Sequence, residues 1–438
     1  MHIYFSGIGG SGISALALLA KQANFEVSGS DMQETPYLPM LRDHGITNIA
    51  IDQSYEHIAA VHAAHPIDWY VYSSALAMSQ TKPDELRFCE DKGIRVSKRD
   101  EFLNMLFEKK DQKLVALAGT HGKSTTTAMV VWLCKSLGLP VSYSLGAKIS
   151  FGDLSYFDPA SEYFVYECDE FDRNFLAFHP HLSGITGLSW DHHEIFPTLE
   201  NYNDAFREFI GQSKQTIIWQ SDADRLDLQN ASNNLQTNVT ILDATTAAID
   251  ELTLPGRFNR EDAWLAVELV AAMTGKSPTE LIPHINHFPG LTQRMELLAP
   301  NLYTNYAHTP EKIKGGMDAA LEIARAQKQN VVVVYEPLTN RRQHYIKDDY
   351  KDCFAGVAKL YWVSTYLARE DPNLPLLTPA ELIPYLSNAS IAEPAEVNDA
   401  LKKAIQNHLD KGDLVVAMDA SGKGSLDEWL RQQFTAQK

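Results

Sequence analysis

The sequence predicts an α/β protein built from three parallel-sheet domains. Three observations lead there. Its 438 residues exceed what one ordinary core accommodates, and a chain of this length suggests about three domains. Short β-type runs alternate with helix-like stretches along the chain. Two of those runs lead through glycine-rich turns directly into helix-forming sequence, as a β-turn-α entry requires.

The first such entry is His2–Ser6, followed by glycines and by Ile13–Gln22, whose Ala and Leu content favours helix. A second strand is predicted at Glu26–Ser28 and another at Trp69–Ser73, with the unit closing at the charged junction Glu108-Lys109-Lys110-Asp111. Leu114–Ala118 opens a second unit, with further strands predicted at Tyr163–Glu167, Ile185–Leu188 and Thr216–Trp219 and an amphipathic helix at Arg260–Met273. Asn286–Arg294 reads as a linker. Asn330–Tyr335, Lys359–Ser364 and Asp413–Met418 are apolar runs separated by helix-like stretches, which predicts a third, doubly wound unit. The expected domains are therefore 1–110, 111–297 and 298–438.

A net charge of -18 argues against general affinity for nucleic acid or anionic membranes, which carry the same sign. Anionic ligands must be met by local devices instead. Cys89, Cys134, Cys168 and Cys353 are widely spaced, which suggests neither a disulfide framework nor a thiolate zinc site. The chain shows no signal peptide, and no apolar run approaches the roughly 20 residues needed to span a bilayer. A cytoplasmic protein is expected.

Gly119-Thr120-His121-Gly122-Lys123-Ser124, continuing into Thr125, follows a predicted strand and opens a predicted helix. In that context backbone amides and the helix dipole cradle phosphates, Lys123 reaches the terminal ones and the Ser124 hydroxyl is placed to ligate magnesium. The general Walker pattern would have glycine at Leu117, so the match is to a variant loop. Gly7-Ile8-Gly9-Gly10-Ser11-Gly12 satisfies G-x-G-x-x-G, and Asp31 stands about 20 residues on. Alone it reads as a dinucleotide site with Asp31 on a ribose hydroxyl, although any diphosphate-bearing nucleotide could use the same amides. Two loops together suggest one nucleotide that is bound and another that reacts.

With these residues in place the chain resembles the Mur ligases of peptidoglycan synthesis over nearly its full length. Gly7–Gly12 with Ser73-Ser74-Ala75 resembles the branch that adds L-alanine to UDP-N-acetylmuramate, and Gly119–Ser124 resembles the family's own phosphate loop. Glu167-Cys168-Asp169-Glu170-Phe171-Asp172 resembles the acidic E-A-D-E-S-D segment, and Asp191-His192 the family's D-H pair. The resemblance implies an N-terminal Rossmann-like UDP-binding domain, a central ATPase domain and a C-terminal Rossmann-like domain. It implies UDP-sugar binding by Gly7, Gly9, Gly10, Ser11, Gly12, Asp31, Ser73 and Ser74. It also makes Ser124, Glu167 and His192 magnesium ligands.

Gly256-Arg257-Phe258-Asn259 resembles G-x-H-N with Phe258 in place of histidine, which leaves Asn259 for the adenine side of ATP. Phe288–Glu296 resembles the hinge F-x-G-x-x-R-R-F-E, with Gln293 replacing one arginine and Arg294 keeping the cation. Asn305-Tyr306-Ala307-His308 resembles D-Y-A-H, with asparagine for aspartate. Trp190–Phe196 and Glu336–Asn340 look more like the sister branch that attaches a murein tripeptide.

The implied reaction is ATP-dependent: UDP-N-acetylmuramate is activated as an acyl phosphate and joined to L-alanine or a short peptide, by a monomer or homodimer. Lys123, Glu167, His192, Arg294 and His308 are the implied catalytic residues, the last two completing the site on closure. Two other classes compete. An NAD-dependent oxidoreductase would use Gly7–Gly12 but leaves Gly119–Ser124 unexplained, and a nucleotide-binding protein without catalysis would account for Phe258, Gln293 and Asn305.

Overall fold

A computed structural model describes residues 1–72, 83–192, 195–228, 238–367, 370–419, 422 and 424–435, apart from the Ser11 side chain. The chain divides into two compact units, residues 1–251 with 262–288, and residues 252–261 with 289–438. Among the described residues there are three sheets.

The first unit holds two of them. In the N-terminal sheet β1 (His2–Ser6), β2 (Glu26–Ser30), β3 (Ile49–Ala50), β4 (Trp69–Tyr72) and β5 (Arg95–Lys98) run parallel in the order β3-β2-β1-β4-β5. All five residues of β1 are buried, as expected of a central strand covered on both faces. The connections reverse direction between β1 and β4, and the turn after β1 therefore opens into the crevice where such sheets bind ligands.

The central sheet comprises β6 (Lys113–Ala118), β7 (Ser142–Ser144), β8 (Ser155–Tyr156), β9 (Tyr163–Glu167), β10 (Leu182–Ile185), β11 (Thr216–Trp219) and β12 (Val239–Leu242), in the order β12-β11-β10-β6-β9-β7-β8. Only β7 and β8 pair antiparallel. Strand β10 lies three residues earlier than the sequence predicts. Leu182–Ile185 pair in register with Val115–Ala118, and Gly184 fits there because a side chain would meet Leu117 and Leu269 at 2.9 and 2.8 Å. The chain leaves the sheet at Gly187, whose φ of +151° a residue with a Cβ rarely adopts.

One helix, Arg99–Lys110, serves both sheets. Phe102 packs on Phe5 and Trp69 of the first at 5.5 and 5.9 Å, while Phe107 packs on Phe164 of the second at 4.8 Å. Apolar residues of both sheets belong to one continuous core. The predicted junction is correspondingly firm: Asp111 ends the helix in the left-handed conformation, and the Gln112 amide donates to Asp158 and Ser161 carbonyls. Farther along, Ser155 Oγ donates to the Ala15 carbonyl and Phe157 N to Gln22 Oε1, both at 2.8 Å. These bonds tie the β7–β8 edge to the Ser11–Gln22 helix.

The second unit carries β13 (Glu296–Ala299), β14 (Leu302–Tyr306), β15 (Val331–Tyr335), β16 (Lys359–Val363), β17 (Ala392–Ala395) and β18 (Leu414–Asp419), in the order β13-β14-β18-β15-β16-β17. The sheet is parallel apart from the β13–β14 hairpin. Its three central runs are those the sequence predicts, each within a residue or so. Tyr335, Tyr350, Phe354 and Trp362 interlock on one face, with ring centroids 5.1 to 6.0 Å apart.

Candidate active site

Residues 119–122 form a turn between β6 and the Lys123–Ser136 helix. Gly119 and Gly122 have φ of +147° and +79°. A side chain on Gly119 would strike Gly187 O at 2.9 Å, and one on Gly122 would strike Asp262 Oδ1 at 2.5 Å. The turn is fastened to the chain leaving β10: Thr120 N donates to Gly187 O at 2.8 Å, Thr120 Oγ1 to Ser189 O at 2.7 Å, and Thr186 Oγ1 to His121 O at 2.5 Å. The His121 ring lies directly against Gly187, and Thr125 is buried behind the turn. The loop is held before any anion reaches it.

Lys123 and Ser124 open the helix and face the acidic segment that follows β9. Ser124 Oγ donates to Glu167 Oε1 at 2.8 Å, and Gly146 N donates to Glu167 Oε2 at 2.7 Å. Gly146 is suited to that approach, since a side chain there would meet both carboxylate oxygens at 2.7 Å. Lys123 Nζ pairs not with Glu167 but with Glu170 Oε2, at 2.5 Å. Burial pulls the ammonium down, yet Glu170 and Asp169 outweigh it and hold Lys123 above the ordinary lysine range. His192 Nε2 lies 3.8 Å from the other Glu170 oxygen, and the His192 backbone is left-handed with φ of +53°.

A hydroxyl and a carboxylate thus meet beside a lysine, and the His192 imidazole reaches that lysine's partner, Glu170. Hard oxygen donors next to a phosphate loop suit magnesium, which takes few protein ligands and keeps the rest for water and phosphate. Ser124 and Glu167 are oxygen donors of the kind that ion takes.

In the N-terminal loop Gly7 N and Ile8 N both donate to Ser30 O. Asp31 Oδ2 accepts from Gly9 N and Oδ1 from Met32 N, each at 2.8 Å, and Thr35 Oγ1 donates to Gly9 O at 2.8 Å. Asp31 thus braces the loop itself. Gly10 caps the Ser11–Gln22 helix without a side-chain bond, and no acidic residue stands in its first turn. Gly12 lies in that first turn beside the Arg99 guanidinium. Ser73 and Ser74 lie outside the described residues.

Asn259, Arg294 and His308 belong to the second unit. Asn259 Nδ2 donates to Pro255 O at 2.6 Å. The Arg294 guanidinium lies 4.6 Å from the Tyr306 ring centroid, and the His308 ring packs edge-on against the same tyrosine. His308 is buried, and its Nδ1 has no hydrogen-bond partner among the described residues. Burial, then Lys312, Arg342 and Arg294, hold its pKa well below the usual histidine range. Both causes favour the neutral imidazole.

Both stretches of the first unit that carry these loops match known family descriptions, "Mur ligase family, catalytic domain" over residues 2–111 and "Mur ligase middle domain" over residues 117–253. The chain belongs to the Mur ligase family. This ligase is 29% identical to a "UDP-N-acetylmuramate--L-alanine ligase" of Caldicellulosiruptor saccharolyticus across 95% of each chain. It is 28% identical to the protein of the same name from Thermobifida fusca, across 96% of this chain and 93% of that one. Among solved structures it resembles the UDP-N-acetylmuramate-alanine ligase of Thermotoga maritima, with TM-score 0.73, 20% identity and coverage of 99% and 98%. A murein peptide ligase of Psychrobacter arcticus aligns over 100% of both chains, with TM-score 0.64 and 21% identity. Family membership removes the oxidoreductase reading of the N-terminal glycines.

Three residues near these sites escape the sequence reading. Glu170 is hidden inside an acidic run whose turn, with Asp172 and Arg173 at φ of +56° and +55°, aims it at Lys123. Arg99 and Arg342 belong to no motif. The charge pattern Lys98-Arg99 at the start of a helix, where the dipole disfavours cations, is the one signal that could have found Arg99.

Proposed function

We propose that this Mur ligase joins L-alanine to the carboxylate of UDP-N-acetylmuramate, consuming ATP, binding magnesium and passing through an acyl phosphate. The observation that carries the reading is the Ser124–Glu167 hydrogen bond beside Lys123 at the head of a phosphate-loop helix. The names of the relatives, which align over nearly the whole chain, support the substrates.

A carboxylate and a triphosphate repel each other by several kcal/mol at close range in a partly dry site. Lys123 supplies a fixed positive charge against that repulsion, and its bond to the buried Glu170 sets where the ammonium stands. Ser124, Glu167 and His192 would hold the magnesium ion, which on binding neutralises phosphate charge and orients it for in-line transfer. Gly119–Thr125 would take the ATP phosphates, with Asn259 and Arg294 on its nucleoside and phosphate side. In the second unit, His308 among Lys312, Arg342 and Arg294 makes a cationic patch suited to the carboxylate of an amino-acid substrate. The unprotonated imidazole adds no charge against an incoming amine. Gly7, Gly9, Gly10, Ser11, Gly12 and Asp31, with Ser73 and Ser74, would bind the UDP-sugar.

The division into UDP-sugar, ATP and amino-acid domains at 110/111 and 297/298, and a cytoplasmic location, belong to the same proposal. Among the described residues no helix is long and apolar enough to cross a membrane.

Phosphate release is followed with UDP-N-acetylmuramate, ATP and magnesium, adding L-alanine to one tube and a murein tripeptide to another. Release with L-alanine alone is expected, whereas release only with the tripeptide selects the sister activity that Trp190–Phe196 and Glu336–Asn340 resemble. A Lys123→Ala protein that still formed ADP in step with product would contradict the assignment of the loop.

A further inference from the structure

Arg99 begins the helix shared by the two sheets of the first unit. Its guanidinium reaches the N-terminal glycine loop: a Cβ on Gly12 would lie 3.0 Å from Nη1. The last glycine of G-x-G-x-x-G therefore leaves room for a cation. On its other side Nη2 lies 3.7 Å from Asp169 Oδ2, beyond hydrogen-bond length. The side chain is only 20% exposed, and no hydrogen bond from it is found among the described residues.

A guanidinium carries five donors, and removing it from water without satisfying them is costly. Burial works against the charged form, but Tyr166, Asp169, Cys168 and Asp100 around it outweigh that and hold Arg99 as a cation. Arg99 stands at the positive end of its own helix and beside the uncapped, acid-free first turn of the Ser11–Gln22 helix. Asp169, at 3.7 Å and 40% exposed, gives the guanidinium no hydrogen bond. The Gly7 to Gly10 amides are bonded within the protein, so an anion at the Ser11 and Gly12 amides of the helix start would meet the planar fork of Arg99, which is the geometry arginine uses for phosphate oxygens.

We propose that Arg99 is a substrate-binding residue which hydrogen-bonds the diphosphate of the sugar nucleotide opposite the Ser11 and Gly12 amides. The inference rests on the sugar-nucleotide reading of that loop. Arg99 also stands next to the acidic segment of the ATP side, so the same residue marks where the substrate crosses from one sheet to the other.

Isothermal titration of UDP, UMP and ATP against the full-length wild type, Arg99→Ala and Arg99→Lys proteins tests this. Arg99→Ala should bind UDP about 10- to 100-fold more weakly, the loss of a charge-assisted pair, with ATP affinity unchanged and a smaller loss for UMP. Arg99→Lys should recover part of the UDP affinity. Steady-state KM for UDP-N-acetylmuramate should rise while KM for ATP does not. Equal UDP affinity in all three proteins overturns the proposal, as does a parallel loss of UDP and ATP binding that tracks a lowered Tm. A wild-type protein that binds neither UDP nor UDP-N-acetylmuramate would remove the underlying reading as well, an outcome distinct from the other two.

Discussion

Lys123 Nζ lies 2.5 Å from Glu170 Oε2, and Glu170 is 1% exposed. The pair is asymmetric. Lys123 also donates to Gly119 O and feels Asp169 and Glu167, whereas Glu170 depends on Lys123, with His192 a more distant partner.

Lys123→Met should therefore destabilise the protein more than Glu170→Gln. Removing the cation strands a buried carboxylate, which costs about 3–5 kcal/mol, while the amide leaves lysine with other acceptors. Both variants should lose ligase activity. Urea unfolding measures the ranking, and equal or reversed losses would show that Glu170 does not rely on Lys123.

Asp222 is buried and accepts from Leu188 N at 3.2 Å, in the segment that fastens the phosphate loop. Burial raises its pKa from 3.8 to about 6. A carboxyl raised on folding contributes stability below about pH 4 that is lost as pH rises through about 6. Asp222→Asn keeps an acceptor and removes the ionisation, so it should be more stable than the parent above pH 6, by about 3 kcal/mol. The gap should close near pH 4. Guanidinium unfolding at both pH values decides, and a constant difference would exclude the assigned cause.

Gly187→Ala combines a disfavoured backbone conformation with a Cβ driven into the His121 ring. A loss of about 2–4 kcal/mol and of ATP binding is expected. His121→Ala in the same chain removes the steric part and should restore some stability but not the strained φ. If the double variant is no more stable than Gly187→Ala, the ring is not what the new methyl meets.

For His308, the folded imidazole should remain neutral at pH 6, where an ordinary histidine is largely protonated. Its depressed pKa contributes stability present above about 6.5 and lost as pH falls toward the folded value. Ring carbon and nitrogen NMR shifts, assigned by comparison with His308→Asn, report the state directly. A midpoint near 6.5 would show that neither burial nor the neighbouring cations exert such pressure.

The three-sheet plan was legible because parallel strands covered on both faces read as short apolar runs, and β1, β9 and β11 coincide with theirs. Strand β10 did not, since Ser183 and Gly184 interrupt its apolar pattern. At the site, Lys123, Ser124 and Glu167 are visible because a loop and a strand end fix them in sequence. Glu170 and Arg99 are not, because each acts through a neighbour distant in sequence and is aimed by a turn or a helix start that carries no motif. Asp31 was recognisable as belonging to the N-terminal loop, but only the fold reveals that its carboxylate is engaged by Gly9 and Met32.

The Arg99–Lys110 helix, wedged by Phe102 into one sheet and by Phe107 into the other, places the two glycine loops in a single compact unit with one core. On the proposed reading, the packing between the sheets makes their separation a ruler cut into the protein. A sugar nucleotide anchored at the first loop presents its acid to the second only if the molecule has the matching reach, so length itself becomes a criterion of selection.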